Sequence, residues 1–303
     1  MKNTIAYRAA LIASAIAMSA FAATAAQAQT AEAPPVIDSD ADTAQTPTRE
    51  GSALDGNYLT IGAGAAFVPS YDGSDDYVIT PVPLVQGSLL GVAISPRPGG
   101  VALDLIDDGD RPGVHFSAGP AFRLRSNRTG DVKDEVVALL PERETAIEVG
   151  PSVGLSVPGV LHGFDSLSFT VDARWDVAGA HEGMTVSPSV SYTTPLSMGT
   201  VAILGLSAEY ADDSFADYYY SITPADSLAS GLPVFDADGG FRSAGATLLV
   251  GQDLNGNVLD GGLSLFAIGG YSRLLGDAAE TPITSQRGSR DQWLGGLGLG
   301  YTF

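Results

Sequence analysis

Asp291-Gln292-Trp293-Leu294-Gly295-Gly296-Leu297-Gly298-Leu299-Gly300-Tyr301-Thr302-Phe303 alternates with period two. Trp293, Gly295, Leu297, Leu299, Tyr301 and Phe303 share one face, and Gln292, Gly296, Gly298, Gly300 and Thr302 the other. Successive side chains of a strand point to opposite sides, so this stretch reads as strand and not as helix. The same alternation sets Leu167, Phe169, Val171, Ala173, Trp175 and Val177 against Ser166, Ser168, Thr170, Asp172, Arg174 and Asp176. It also sets Val114, Phe116, Ala118, Phe122 and Leu124 against His115, Ser117, Gly119, Arg123 and Arg125. Each stretch covers about 11 to 13 residues, longer than the usual strand of about 5 to 6 and enough for a tilted membrane crossing.

Composition decides which face is outside. The polar face holds Gly, Ser, Thr and scattered Asp and Arg, which suits a crowded lumen, whereas a wetted exterior would use Lys and Glu freely. Lysine occurs only at Lys2 and Lys133. The other face carries Leu, Val and Ala with aromatic residues toward the ends, as a lipid-facing belt does. The reading is an all-β chain forming a transmembrane antiparallel barrel of about twelve strands.

The expected strands are Asn57 to Phe67, Tyr77 to Gln86, Ser88 to Ser95, Gly99 to Leu105, Gly113 to Arg125, Glu144 to Val157, Asp165 to Val177, Gly183 to Thr193, Thr200 to Tyr210, Phe241 to Gln252, Val258 to Leu274 and Asp291 to Phe303. Gly87, Asp107 to Pro112, Pro158 to Phe164, Thr194 to Gly199 and Asp253 to Asn257 are short connections. Those around Asp72, Arg128, His181, Tyr219 and Thr284 include the long ones, Ser126 to Arg143, Ala211 to Gly240 and Leu275 to Arg290. Sorting of short turns to one rim and long loops to the other is the outer-membrane pattern, with the long set outward.

Upstream, Lys2 and Arg8 precede an alanine-rich apolar stretch from Ala9 to Ala26, ending in Ala26-Gln27-Ala28. That order is a secretory signal peptide, so residues 1–28 are expected to be removed. Residues 29–56, rich in Ala, Pro, Thr and Asp, read as a flexible periplasmic leader, and 57–303 as the barrel. The chain has no cysteine, which excludes a disulfide framework and thiolate metal sites. A formal charge of −20 excludes nucleic acid as a partner, because phosphate binding needs a basic stripe.

Val68-Pro69-Ser70-Tyr71-Asp72-Gly73-Ser74-Asp75-Asp76-Tyr77, Gly150-Pro151-Ser152, Asp176 to Gly183 with His181, Tyr218-Tyr219-Tyr220-Ser221-Ile222, Tyr271 to Ile283 and Gly298 to Phe303 together resemble the pattern of the MipA/OmpV family of outer-membrane proteins. The chain departs from the family pattern at Tyr219-Tyr220-Ser221-Ile222, where Tyr-Phe-Gly-Val is usual, and at Thr281-Pro282, where Ser-Pro is usual. The resemblance implies an outer-membrane barrel with proposed roles in murein-synthesis scaffolding, adhesion or antibiotic response. It implies no shared catalytic residues.

Candidate chemistry is sparse. His115 and Ser117 point to one face, as a Ser-His hydrolase would need, with Asp172 or Asp176 as a possible third member. No nucleophile motif surrounds Ser117, and a lumen-lining polar pair is the plainer reading. His162 and His181 have no partner at metal-ligand spacing. Asp253-Leu254-Asn255-Gly256-Asn257 suggests a calcium loop, but Asn255-Gly256 is also what a tight hairpin turn requires, and the turn is preferred. Enzymatic activity, a cofactor and a metal are therefore not expected. Tyr71, Asp72, Asp75, Asp76, His181, Tyr218, Tyr219 and Tyr220 form a candidate loop interaction surface, although the tyrosines could equally fold inward as a plug. Arg123, Arg125 and Arg174 opposite Asp172, Asp176 and Glu148 form a candidate lumen charge network. The expected role is a non-enzymatic scaffold or interaction protein linked to murein maintenance or adhesion, with a narrow solute or ion channel as the alternative. Expected partners are the outer membrane, its lipopolysaccharide, and murein synthase or hydrolase proteins of the periplasm.

Overall fold

A computed structural model describes residues 53–54, 56–106, 113–130 and 132–303. The expected signal peptide, nearly all of the leader and the turn at 107–112 lie outside the described residues. Twelve strands follow in order: β1 (Tyr58–Pro69), β2 (Tyr77–Leu89), β3 (Val92–Arg97), β4 (Gly100–Asp104), β5 (His115–Arg125), β6 (Ala146–Pro158), β7 (Ser166–Asp176), β8 (Met184–Ser197), β9 (Thr200–Ala211), β10 (Gly240–Asp253), β11 (Gly262–Leu274) and β12 (Asp291–Thr302). Each is antiparallel to its chain neighbours, and β12 pairs with β1 to close the barrel. Among the described residues no helix is long and apolar enough to cross a membrane.

The polarity is inside out. Trp175, Leu206, Trp293, Leu297 and Leu299 are exposed on the outer face, while Glu148, Ser152, Asp172, Arg174 and Thr185 are buried within. A water-soluble barrel would not expose so large an apolar surface. The lumen itself has two unlike walls. From β3 to β8 it carries Ser, Thr, Asp, Glu and Arg, as expected, and β9 adds Ser207 and Glu209 beside Val201 and Ile203. From β10 through β12 and β1 to β2, the lumen face instead sets Leu249, Phe266, Ile268, Leu294, Val82 and Leu84 among glycines.

All twelve expected strands form, with several boundaries moved; β8 runs past Thr193 to Ser197, so the connection expected at Thr194 to Gly199 shrinks to Met198 and Gly199. A turn at Gly87 alone does not occur, because a tight hairpin needs two central residues at positive φ. The chain turns instead at Leu90 and Gly91, whose φ values are 53° and 82°, and β2 runs through Gly87 to Leu89. Strand β11 begins at Gly262 and not at Val258, whose side chain packs against Val201 at the short-turn rim. Asp253 Oδ1 accepts the N–H groups of Asn255 and Asn257, so its carboxylate organises the turn before β11.

Asp165 does similar work in the turn between β6 and β7. Its carboxylate accepts N–H groups from Val160 at 2.7 Å, Leu161 at 2.9 Å and His162 at 3.1 Å, and the Tyr192 hydroxyl at 2.7 Å. Burial alone would raise its pKa, but the Tyr192 hydroxyl and the three N–H groups outweigh that and hold it below the usual carboxylate range. The stabilisation is therefore present above the unfolded pKa of about 3.9 and lost as pH falls through the lower folded value. Asp165→Asn should cost about 1–3 kcal/mol at pH 7. It should also narrow the difference between unfolding midpoints at pH 7 and pH 3; an unchanged difference would refute the assignment.

Candidate functional site

The long-loop rim carries the elements that close the barrel: 70–76, 126–145, 177–183, 212–239 and 275–290. Segment 212–239 folds into helices α1 (Asp213–Tyr220) and α2 (Pro224–Ser230), and 275–290 into α3 (Gly276–Glu280) and α4 (Pro282–Ser285). Helix α1 starts where the Asp212 side chain accepts the Phe215 N–H, and α2 where Thr223 and Asp226 cap each other reciprocally. Phe215, Tyr219, Tyr220, Leu274, Ala278 and Ala279 form one buried cluster, and Tyr71, Val137, Leu140, Ile222, Leu232 and Ile283 another. Four loops thus share two small apolar cores, and the result is a packed cap.

Three of the motifs on which the family resemblance rests meet in this cap, through Tyr71, Ile222 and Ile283. Gly73 has φ +94°, and a Cβ there would stand 2.2 Å from the Thr284 hydroxyl, so the Tyr-Asp-Gly-Ser turn can press on α4 only through a glycine. Ser289 N–H donates to the Gly73 carbonyl at 2.8 Å, and the Thr281 hydroxyl to the Tyr220 carbonyl at 2.7 Å. Burial pushes the phenols of Tyr71 and Tyr220 up to about 12, so both are neutral packing groups. Burial, with Arg143 beside it, pulls Arg128 down to about 10, while its Nη2 donates to the Tyr219 carbonyl at 2.8 Å.

Beneath the cap, side chains cross the lumen. Arg123 Nη1 and Arg125 Nη2 of β5 donate to Glu209 of β9 at 2.9 and 2.5 Å. Arg242 Nε of β10 donates to the same carboxylate at 2.8 Å, and its Nη1 to Asp72 at 2.8 Å. Arg125 Nε also donates to Glu148 at 2.5 Å, and Arg174 Nη1 to Asp172 at 2.8 Å. Arg97 Nε from β3 reaches Asp172 at 3.0 Å. A register shift between Phe241 and Ser243 lets Arg242 join Ser243 opposite Glu209, the bulge re-aiming one side chain inward. Phe215 lies over this layer, its ring centroid 4.7 Å from the Arg125 guanidinium carbon and 5.4 Å from that of Arg242.

The expected network is thus assembled at Arg123, Arg125, Glu148, Asp172 and Arg174. Asp176 stands apart: it accepts the N–H groups of Ala178, His181 and Glu182 and shapes the 177–183 turn. Glu209, Arg242 and Arg97 were missed. The first lies on the polar face of an expected strand and was legible there; the second sits at a bulge that hides its parity. The tyrosine and histidine surface requires correction in its placement. Tyr71, Tyr219, Tyr220 and His181 are buried, because their rings fill the cap and the charged layer below; Asp75 is exposed, and Asp72, Asp76 and Tyr218 are half-buried. His181 Nδ1 accepts the Gly183 N–H at 3.0 Å, which directs its Nε2 proton toward Glu148, 3.4 Å away. His115 and Ser117 line a cavity with Asp104, whose carboxylate accepts the Ile106 and Ala118 N–H groups. Asp172, weighed as a third member, is held by arginines.

The sequence matches, over residues 61–303, the family described as MltA-interacting protein MipA. No curated protein matches. Among solved structures, the fold is similar to an outer membrane channel from Pseudomonas putida F1 (13% identity, TM-score 0.39, covering 87% of this chain and 100% of that one). It is also similar to the outer membrane channel DcaP of Acinetobacter baumannii (11%, TM-score 0.28, 84% and 99%) and to the Pseudomonas putida toluene transporter TodX (8%, TM-score 0.32, 82% and 89%).

Proposed function

We propose that this chain, which belongs to the MipA family, is a non-conducting scaffold of the cell envelope that engages murein-processing proteins from its periplasmic rim. The observation that carries the reading is the layer under the cap, where Arg123, Arg125 and Arg242 meet Glu209. A pore that passes solutes keeps its constriction wet and its charges on the wall; here the charges are spent on one another across the lumen. The family's description as an MltA-interacting protein supports a partner in murein turnover. The exposed Asp75, with Asp76 half-buried beside it, suits divalent-cation bridges to lipopolysaccharide phosphates at the opposite rim.

The wild-type protein in planar bilayers is expected to give no stable single-channel steps. Crosslinking in intact envelopes, read by mass spectrometry, is expected to capture murein synthases or hydrolases on the short-turn rim. Steady conductance without such captures would replace the scaffold with the channel reading.

A further inference from the structure

We propose that the seam between β2 and β3 is a lateral window through which the alkyl tail of an uncharged amphiphile enters the lumen. The two strands share only the pairs Gly87↔Ile94, Ser88↔Ala93 and Leu89↔Val92. Beyond these, residues 77–86 of β2 pair with β1 alone. The seam between β4 and β5 is also short, yet Leu105 N–H to the Ala118 carbonyl and Leu124 N–H to the Gly99 carbonyl extend it. No further registered pair joins β2 to β3 among the described residues. Ile79, Thr80, Pro81, Val82 and Pro83 are all exposed, including Thr80 and Val82 on the lumen face opposite Ala66 and Gly64.

Prolines remove donors from the seam. Alternate residues of a strand address the same neighbour, so Pro81 and Pro83 lack N–H groups on one side. The unbroken ladder from β1 to 77–88 requires that side to be the one facing β3. By the same reasoning, unbroken pairing of 93–97 with β4 turns the ring nitrogen of Pro96 toward β2. Each facing edge thereby loses donors at its prolines, while Ile79 and Val85 keep theirs, so a ladder there could extend only with gaps. An open edge within a membrane is tolerated where it borders a cavity.

The lumen behind the window suits a chain with a neutral head. The window opens onto the apolar wall of Val82, Leu84, Ile268 and Leu294. A cavity of about 290 Å³ under the cap continues that wall at Leu294 and is lined by Ser207, Ser243, Ser272, Thr247 and Gln292. Its cation, Arg242, is already neutralised by Glu209 and Asp72. Hydroxyl and amide partners without net charge select an uncharged, hydrogen-bonding headgroup over a phosphate or carboxylate.

The test uses the full chain in liposomes with a dodecyl maltoside carrying a diazirine at the tail end, followed by photolysis and peptide mapping. Lumen-face Val82, Leu84 and Leu294 should be labelled together with outward Leu297 and Leu299. Thr80→Cys, in a chain with no other cysteine, offers a thiol in the window for a bulky methanethiosulfonate. That modification should abolish lumen labelling, leave outward labelling intact, and be reversed by reductant; the same reagent on Asp75→Cys should do nothing. Outward labelling alone in the wild type, or lumen labelling that survives the blocked Thr80→Cys, would overturn the proposal. A variant restoring donors, Pro81→Thr with Pro83→Thr and Pro96→Thr, should also lose lumen labelling, and unchanged labelling there counts equally against it.

Discussion

Glu209→Gln should lower the unfolding free energy by about 3–5 kcal/mol, the scale for breaking a buried ion pair from one side. One carboxylate accepts from Arg123, Arg125 and Arg242, and all four side chains are largely withdrawn from water. An amide offers one neutral acceptor where three guanidiniums converge, so the repulsion among them is left uncompensated. Of these three, Glu148 directly bonds Arg125 alone and is shared with Arg174, and Asp72 bonds Arg242 alone. Urea unfolding in micelles, followed by tryptophan fluorescence, measures the loss. Adding Arg242→Leu to Glu209→Gln should recover part of it, because it removes one of the stranded charges. A midpoint that does not move would show that the layer is incidental to stability.

The second large effect is expected in the cap. Phe215 is fully buried, with His181 edge-on at 4.9 Å, Tyr219 at 4.7 Å and two guanidiniums against its faces. Phe215→Ala deletes the side chain that joins α1 to the charged layer and should cost about 3–5 kcal/mol locally. Because the barrel ladder does not depend on it, the loss should appear as a loosened cap and not as an unfolded barrel. Planar-bilayer recording of this variant should reveal intermittent steps where the wild type is silent. Limited proteolysis should cut within 212–239 while the strands remain protected. Silence and protection in the variant would mean that the cap is held by its other contacts, chiefly Thr281 to Tyr220 and Ser289 to Gly73.

The barrel was legible because a lipid-facing strand writes its address at every second residue. Leu167 to Val177 and Trp293 to Phe303 need no tertiary knowledge to be read. The twelve strands and the sorting of loops came from the same repetition. The short hairpin of β3 and β4 was harder, since Pro96, Pro98 and Gly99 interrupt the pattern. Leu294 went unplaced in the sequence because an apolar side chain on the lumen face contradicts the polar interior that Ser, Thr and Arg elsewhere suggest. The cap was illegible for a different reason. Tyr71, Tyr220 and Ile283 are far apart in sequence, and each helix of the cap is too short to show a periodic face. Only the folded chain brings them together. Glu209 was readable by parity, whereas Arg242 was not, because a bulge shifts the count by one residue at the position that matters.

The closing seam of β1 and β12 has one more consequence. On its lumen side Gly62 faces Gly300, Gly64 faces Gly298 and Ala66 faces Gly296, so that surface is nearly the same at every step along the strand. A slip by two residues would look alike from within, and the interior holds almost no memory of the correct alignment. That memory resides outside, in Ile61 against Tyr301, Ala63 against Leu299 and Ala65 against Leu297, and at one internal point, the Thr60 and Thr302 hydroxyls 2.7 Å apart. The two ends of the chain therefore find their alignment largely through side chains that touch lipid.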